Sequence, residues 1–131
     1  MTLVDTSIIV AVLDSSHPEH TLCLQALDEC MSRDDVAVSA VTCAELAAGG
    51  RTHEAIDEDL RYFERVPLDF EAAFRAGQAF KNHRPAKNAP KPVPPDFLIR
   101  AQAAVLGIPH LTNDRRRTGP FPDVEFIFPR K

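Results

Sequence analysis

The 131-residue chain contains no tryptophan, a single tyrosine and three cysteines. With Tyr62 alone and no Trp, little is on offer for unpaired bases to stack upon. Cys23, Cys30 and Cys43 are odd in number, lie within helical patterns, and have neither the paired spacing nor the histidine partners of a zinc site. They read as small core residues. No stretch approaches the ~18 apolar residues of a membrane span. The opening Met1-Thr2-Leu3-Val4-Asp5 lacks a basic segment followed by a long apolar one. The expectation is a cytoplasmic protein without membrane attachment. Excess positive charge is missing too: a formal charge of −4 and a pI near 5.7 exclude a broadly basic nucleic-acid-binding surface, so any polyanion must be held locally. What is present, 44% hydrophobic and 26% charged residues, is ordinary globular usage, and the length suits one domain over residues 1–131.

Short β-branched runs alternate with segments of helical periodicity, which predicts an α/β fold with a central, mostly parallel sheet flanked by helices. Leu3-Val4 and the apolar residues after Asp5 make a first strand that leads through Ile8, Ile9 and Val12 into a helical turn. A helix starting near Pro18 keeps Leu22, Ala26, Leu27 and Cys30 on one side, and Val36 to Val41 is a second strand. Thr42 with Glu45 three residues on has the pattern of a capping box opening the next helix. An amphipathic helix is predicted between Thr52 and Phe63, and a short edge strand over Val66 to Leu68. From Phe70 to Lys81 the stripe Phe70, Ala73, Phe74, Gly77 and Phe80 predicts a helix facing the core with its aromatics. Residues 84–95 hold five prolines and three basic side chains and read as an exposed loop. A helix from Asp96 to Leu106 stopped by Gly107, a strand at Ile108 to Thr112 and a last strand at Val124 to Phe128 complete the chain.

In an open parallel sheet, ligands bind outside the carboxyl ends of the strands. Four acids occupy such places: Asp5 at the end of strand one, Glu45 after strand two, Asp96 at the start of the last helix, and Asp114 after the strand ending at Thr112. Singly, each has a structural explanation, as a cap, a capping-box partner, a macrodipole charge or a turn residue. Capping explains acids at helix starts, but not one at the end of an apolar first strand and another after the penultimate strand. Converging carboxylates ~5 Å apart repel by on the order of 3 kcal/mol per pair at an effective dielectric near 20. A cation must offset that. Hard oxygen donors without His or Cys beside them suit Mg²⁺ or Mn²⁺, and Mg²⁺ in an acidic pocket points to phosphate chemistry.

These segments also resemble the PIN-domain ribonucleases, specifically the VapC-type toxins of bacterial VapBC toxin–antitoxin pairs. The likeness spans the whole chain and is carried by Leu3-Val4-Asp5-Thr6-Ser7, by Val38-Ser39-Ala40-Val41-Thr42-Cys43-Ala44-Glu45-Leu46, by Asp96-Phe97-Leu98-Ile99-Arg100-Ala101 through Gly107-Ile108-Pro109, and by Leu111-Thr112-Asn113-Asp114. The resemblance implies a compact three-layer PIN-like fold and a Mg²⁺ or Mn²⁺ site with Asp5 and Asp96 as direct ligands, completed by Glu45 and Asp114. It implies hydroxyl support from Thr6 and Thr112, endonucleolytic cleavage of RNA such as transfer RNA, a homodimer, and neutralisation by a cognate VapB-type antitoxin.

Two departures stand out. The Pro-rich basic segment before Asp96 is long for such toxins, and after Asp114 many relatives carry a further acid and an aromatic where this chain has Arg115-Arg116-Arg117. Asp114 is therefore the least secure ligand. Those arginines, with Arg84, Lys87 and Lys91, are candidates for RNA-backbone contacts, since guanidinium forks match phosphate oxygens. A solvated charge run is the competing account. The five histidines follow no ligand spacing. An aspartyl-nucleophile phosphatase would want Asp-x-Asp after strand one, where this chain has Asp5-Thr6-Ser7. A receiver-like signalling module would need an acidic pair there and a phosphoacceptor Asp mid-chain. A PIN-like domain that binds RNA without cutting it is the remaining alternative.

Overall fold

The computed structural model describes residues 1–83 and 92–130. In chain order it contains β1 (Thr2–Val4), α1 (Thr6–Leu13), α2 (His20–Arg33), β2 (Val36–Ser39), α3 (Ala40–Ala48), α4 (His53–Asp59), β3 (Glu64–Val66), α5 (Phe70–His83), α6 (Pro95–Leu106), β4 (His110–Leu111) and β5 (Phe126–Ile127). The strands form one all-parallel sheet in the order β3-β2-β1-β4-β5, with Leu3 opposite Ala37 on one side and His110 on the other. Helices cover both faces. No helix among the described residues is long and apolar enough to cross a membrane.

Alternation along the strands decides which layer each side chain joins. Val4, Val36 and Val38 pack with Ile8, Ile9, Cys23, Leu27, Cys30, Leu46 and Ile56, so α1, α2, α3 and α4 share one face. Leu3 and Ala37 point the other way, into Ala76, Ala79, Phe97, Ile99, Ala101 and Phe121 beneath α5 and α6. Phe97 meets Phe80 and Phe121 edge-on, at centroid distances of 5.5 and 5.4 Å. Buried Cys23 and Cys30 are core fillers, as expected, while Cys43 is exposed.

Several local expectations change. The second helix starts at His20, so Pro18 lies ahead of its first turn. The cap of α3 is Ser39, whose side chain accepts from Val41 N, and not Thr42; Glu45 consequently lies beyond the first turn and caps nothing. The third strand is Glu64–Val66, an edge strand that ends before Pro67. The largest change is the rotation of α5. Its buried residues are Ala72, Ala76 and Ala79, whereas Phe70 is 95% and Phe74 68% exposed. The helix carries two apolar stripes, and the alanine one lets α5 lie close against α6, its main contact partner.

Candidate active site

Strand order reverses at β1: the chain runs from it to β2 on one side and later returns to β4 on the other. That switch point is where an open parallel sheet leaves a crevice beyond its carboxyl ends. Asp5 follows β1 there and Asp114 follows β4. The pocket at this place is lined by Asp5, Thr6, Ser7, Val10, His17, Glu45, Asp96, Ile99, Asn113 and Asp114. All four acids singled out from the sequence therefore reach one pocket, from four separate segments.

Asp5 is the most firmly held of them. It caps α1 through Ser7 N, and its Oδ2 also accepts from Ser7 Oγ at 2.6 Å and Thr112 Oγ1 at 3.1 Å. Its Oδ1 lies 3.6 Å from Nε2 of the fully buried His110, whose Nδ1 lies 3.0 Å from the Leu3 carbonyl. Burial by itself would raise the Asp5 carboxyl, but His110 and the hydrogen bonds from Ser7 outweigh it and lower its pKa from 3.8 to about 2. Asp5 is thus held ionised, and capping and charge placement coincide in one side chain.

Glu45 is oriented by Thr6, whose hydroxyl donates to Oε1 at 2.7 Å and lies 2.8 Å from Thr42 Oγ1. Thr112 supports both sides of the crevice: besides reaching Asp5, its hydroxyl accepts from Asp114 N at 3.1 Å. Both hydroxyl positions selected from the sequence thus contact acids, Thr6 at Glu45 and Thr112 at Asp5.

Asp96 and Asp114 are engaged differently. Asp96, the second residue of α6 after Pro95, accepts from Arg117 Nη2 at 2.8 Å. Asp114 receives the fork of Arg116, Nε at 3.0 Å and Nη2 at 3.1 Å, and the contact with Arg116 lowers its carboxyl below the usual range. Arg115 turns elsewhere, donating to the Pro129 carbonyl and lying 4.5 Å over Phe128. Arg84, Lys87 and Lys91 fall outside the described residues.

Sequence reasoning passed over three contributors. Ser7 ties Asp5 to Asn113 N at 3.0 Å, a role its position two residues after a capping Asp permits. His110 faces Asp5 from below, and only the strand register places it there. Arg100, 1% exposed, donates to the carbonyls of Asp114, Arg116 and Arg117. Its signal was legible: a lone cation on the apolar face of α6, one turn after Asp96.

The donor set is all hard oxygen, which fits Mg²⁺ or Mn²⁺. Among the described residues, however, no three His, Cys, Asp or Glu side chains already close into a group able to hold an ion. Two of the four acids are instead turned onto arginines.

A family model described as PIN domain matches residues 2–126. The chain matches no curated protein by sequence. Solved structures align over nearly the full chain. VapBC2 from Rickettsia felis bound to a promoter DNA fragment has a TM-score of 0.72 at 18% identity, covering 98% of each chain. A toxin–antitoxin complex from Klebsiella pneumoniae gives 0.73 at 18%, covering 100% of this chain and 99% of that one. FitAcB from Neisseria gonorrhoeae gives 0.68 at 25%, covering 97% and 96%.

Proposed function

Because this chain belongs to the PIN-domain family, we propose that it is a Mg²⁺- or Mn²⁺-dependent endoribonuclease, the toxin of a toxin–antitoxin pair. The observation that carries the reading is the convergence of Asp5, Glu45, Asp96 and Asp114 on one pocket at the switch point of the sheet. The printed descriptions of the similar structures, toxin–antitoxin complexes among them, support the biological half.

Asp5 and Asp96 would hold the ion directly, with Glu45 and Asp114 completing its surroundings. When bound, a divalent ion supplies a water of lowered pKa and screens the scissile phosphate and the leaving oxygen. Everything else falls to the chain. Ser7 and Thr112 fix the Asp5 carboxylate, Thr6 fixes Glu45, and His110 keeps Asp5 ionised. Arg116 and Arg117 stand beside the pocket, where their forks can meet the phosphates on either side of the cut. The protein as a whole is acidic, so this local cationic edge is what would draw RNA to the site. Residues 1–131 would act as one domain, in a cytoplasmic homodimer held inactive by a VapB-type antitoxin.

The pairing of Asp96 and Asp114 with arginines favours one other reading, an inert PIN-like domain that binds RNA without cutting it. Labelled structured RNA incubated with Mg²⁺, with Mn²⁺ and with EDTA separates the two. The expected result is fragments that require metal and disappear in Asp5→Asn. Tight binding with no fragments under any condition favours the inert domain, and cleavage that survives both EDTA and Asp5→Asn removes the carboxylate mechanism.

A further inference from the structure

We propose that Arg116 and Arg117 are internal counter-ions of this site, which hold both oxygens of Asp114 and one oxygen of Asp96 against a divalent cation and are released by it toward RNA phosphates. The inference rests on the metal-site reading above. Three observations carry it.

The first is occupancy. Arg117 takes Asp96 Oδ2, and Arg116 takes both oxygens of Asp114. Each such bond takes up a lone pair of a carboxylate oxygen and sets a positive charge beside it, so ion and arginine compete.

The second is that the arrangement is anchored. Arg100 Nη1 donates to the Arg116 and Arg117 carbonyls at 2.7 Å each, and its Nη2 donates to the Asp114 carbonyl at 3.0 Å. These bonds pin the 114–117 turn from beneath, and Arg117 adopts a φ of 56°, a left-handed conformation uncommon for a side-chain-bearing residue. The same helix therefore presents Asp96 and, one turn later, the cation that fixes the loop whose arginine meets Asp96. Arg100 is a positioning residue for this contact.

The third is that the guanidiniums are solvent-exposed, although that of Arg117 also lies 5.6 Å from the centre of the Phe97 ring. The Arg116 side chain is 79% exposed and that of Arg117 46%, while the Asp114 and Asp96 side chains are 22% and 19% exposed. Ion pairs of such exposure are weak enough to exchange. The acids stay in place while the arginines can swing outward. A cation arriving at the site thus frees two phosphate-binding forks at the pocket rim, linking metal binding to RNA binding.

The test measures free Mn²⁺ by electron paramagnetic resonance during titration of the intact protein at ~0.1 M salt, where the screening length is roughly 10 Å. Wild type, Arg116→Ala, Arg117→Ala, Arg115→Ala and Asp5→Asn are compared, with thermal melts to establish that each is folded. Arg115→Ala removes the same formal charge from a guanidinium that points at Pro129 and Phe128, and so controls for net charge. Arg116→Ala and Arg117→Ala should each bind Mn²⁺ about 2- to 5-fold more tightly. Arg115→Ala should match wild type, and Asp5→Asn should lose binding. The same two arginine variants should bind an RNA hairpin more weakly in Ca²⁺, an effect of opposite sign that a merely structural role would not give. If Asp5→Asn abolishes Mn²⁺ binding while Arg116→Ala and Arg117→Ala bind it no better than wild type, the counter-ion role is overturned and the metal site stands. If wild type and Asp5→Asn behave alike, the metal site falls and this inference with it.

Discussion

Replacing Ser39 with alanine removes a hydroxyl that is 1% exposed and serves two partners, accepting from Val41 N at 3.0 Å and donating to Gln102 Oε1 at 2.5 Å. Loss of an N-cap costs about 0.5–2 kcal/mol. Gln102, 2% exposed, would also be left with a buried oxygen lacking its partner, a further loss of about 1–3 kcal/mol. The combined expectation is a destabilisation of about 2–4 kcal/mol. For a chain of this size that lowers the melting temperature by roughly 6–15 °C. Glu45→Gln should do the reverse. Gln keeps an oxygen for Thr6 Oγ1, and the cap at Ser39 is untouched, so the change in stability should stay below about 1 kcal/mol. Cleavage of RNA should fall roughly 100-fold or more, because the charge is gone from the site. Thermal unfolding followed by circular dichroism, with cleavage rates per folded molecule, reads both axes. Glu45→Gln melting as early as Ser39→Ala with cleavage retained would mean that Glu45 supports the helix and not the chemistry. An unchanged melting temperature for Ser39→Ala would remove the cap as described.

Asp5 should make stability depend on acid pH with a definite sign. Its folded pKa of about 2 lies below the ordinary 3.8, so its contribution is full above 3.8 and is lost as pH falls through 3.8 toward 2. That contribution is on the order of 2 kcal/mol. Urea unfolding at descending pH should show the gap between wild type and Asp5→Asn closing across this window; a gap independent of pH would contradict the roles given to His110 and Ser7. On α5, Phe74→Ser should change stability by no more than about 0.5 kcal/mol, whereas Ala76→Leu, at a fully buried position, should cost about 1–3 kcal/mol by overpacking. Urea midpoints for the two variants would reverse in rank if the aromatic stripe were the packed one.

Alternating strand and helix patterns, and acids at strand ends, determined much of this protein in advance. Local periodicity reports what each segment buries, and a parallel sheet then has few ways to cover both faces. That is why the layers, the element order and the presence of Asp5, Glu45, Asp96 and Asp114 around one pocket could be anticipated. Thr6 and Thr112 entered through the resemblance to the PIN-domain ribonucleases, and their hydroxyls lie against Glu45 and Asp5. The decisions that needed tertiary structure are those where two groups compete for one role. α5 carries an aromatic and an alanine stripe at the same period, and only the approach of α6 buries the alanines while leaving Phe70 and Phe74 in solvent and Phe80 against Phe97. Ser39 and Thr42 are both residue types that cap helices, and Ser39, which closes β2 and also bonds Gln102 sixty-three residues away, is the one that caps α3. His110 reaches Asp5 only through the register of β4 on β1. Whether Arg116 and Arg117 face water or the acids depends on a turn pinned by Arg100 from helix α6, and no pattern along the chain encodes a contact between groups that the fold alone brings together.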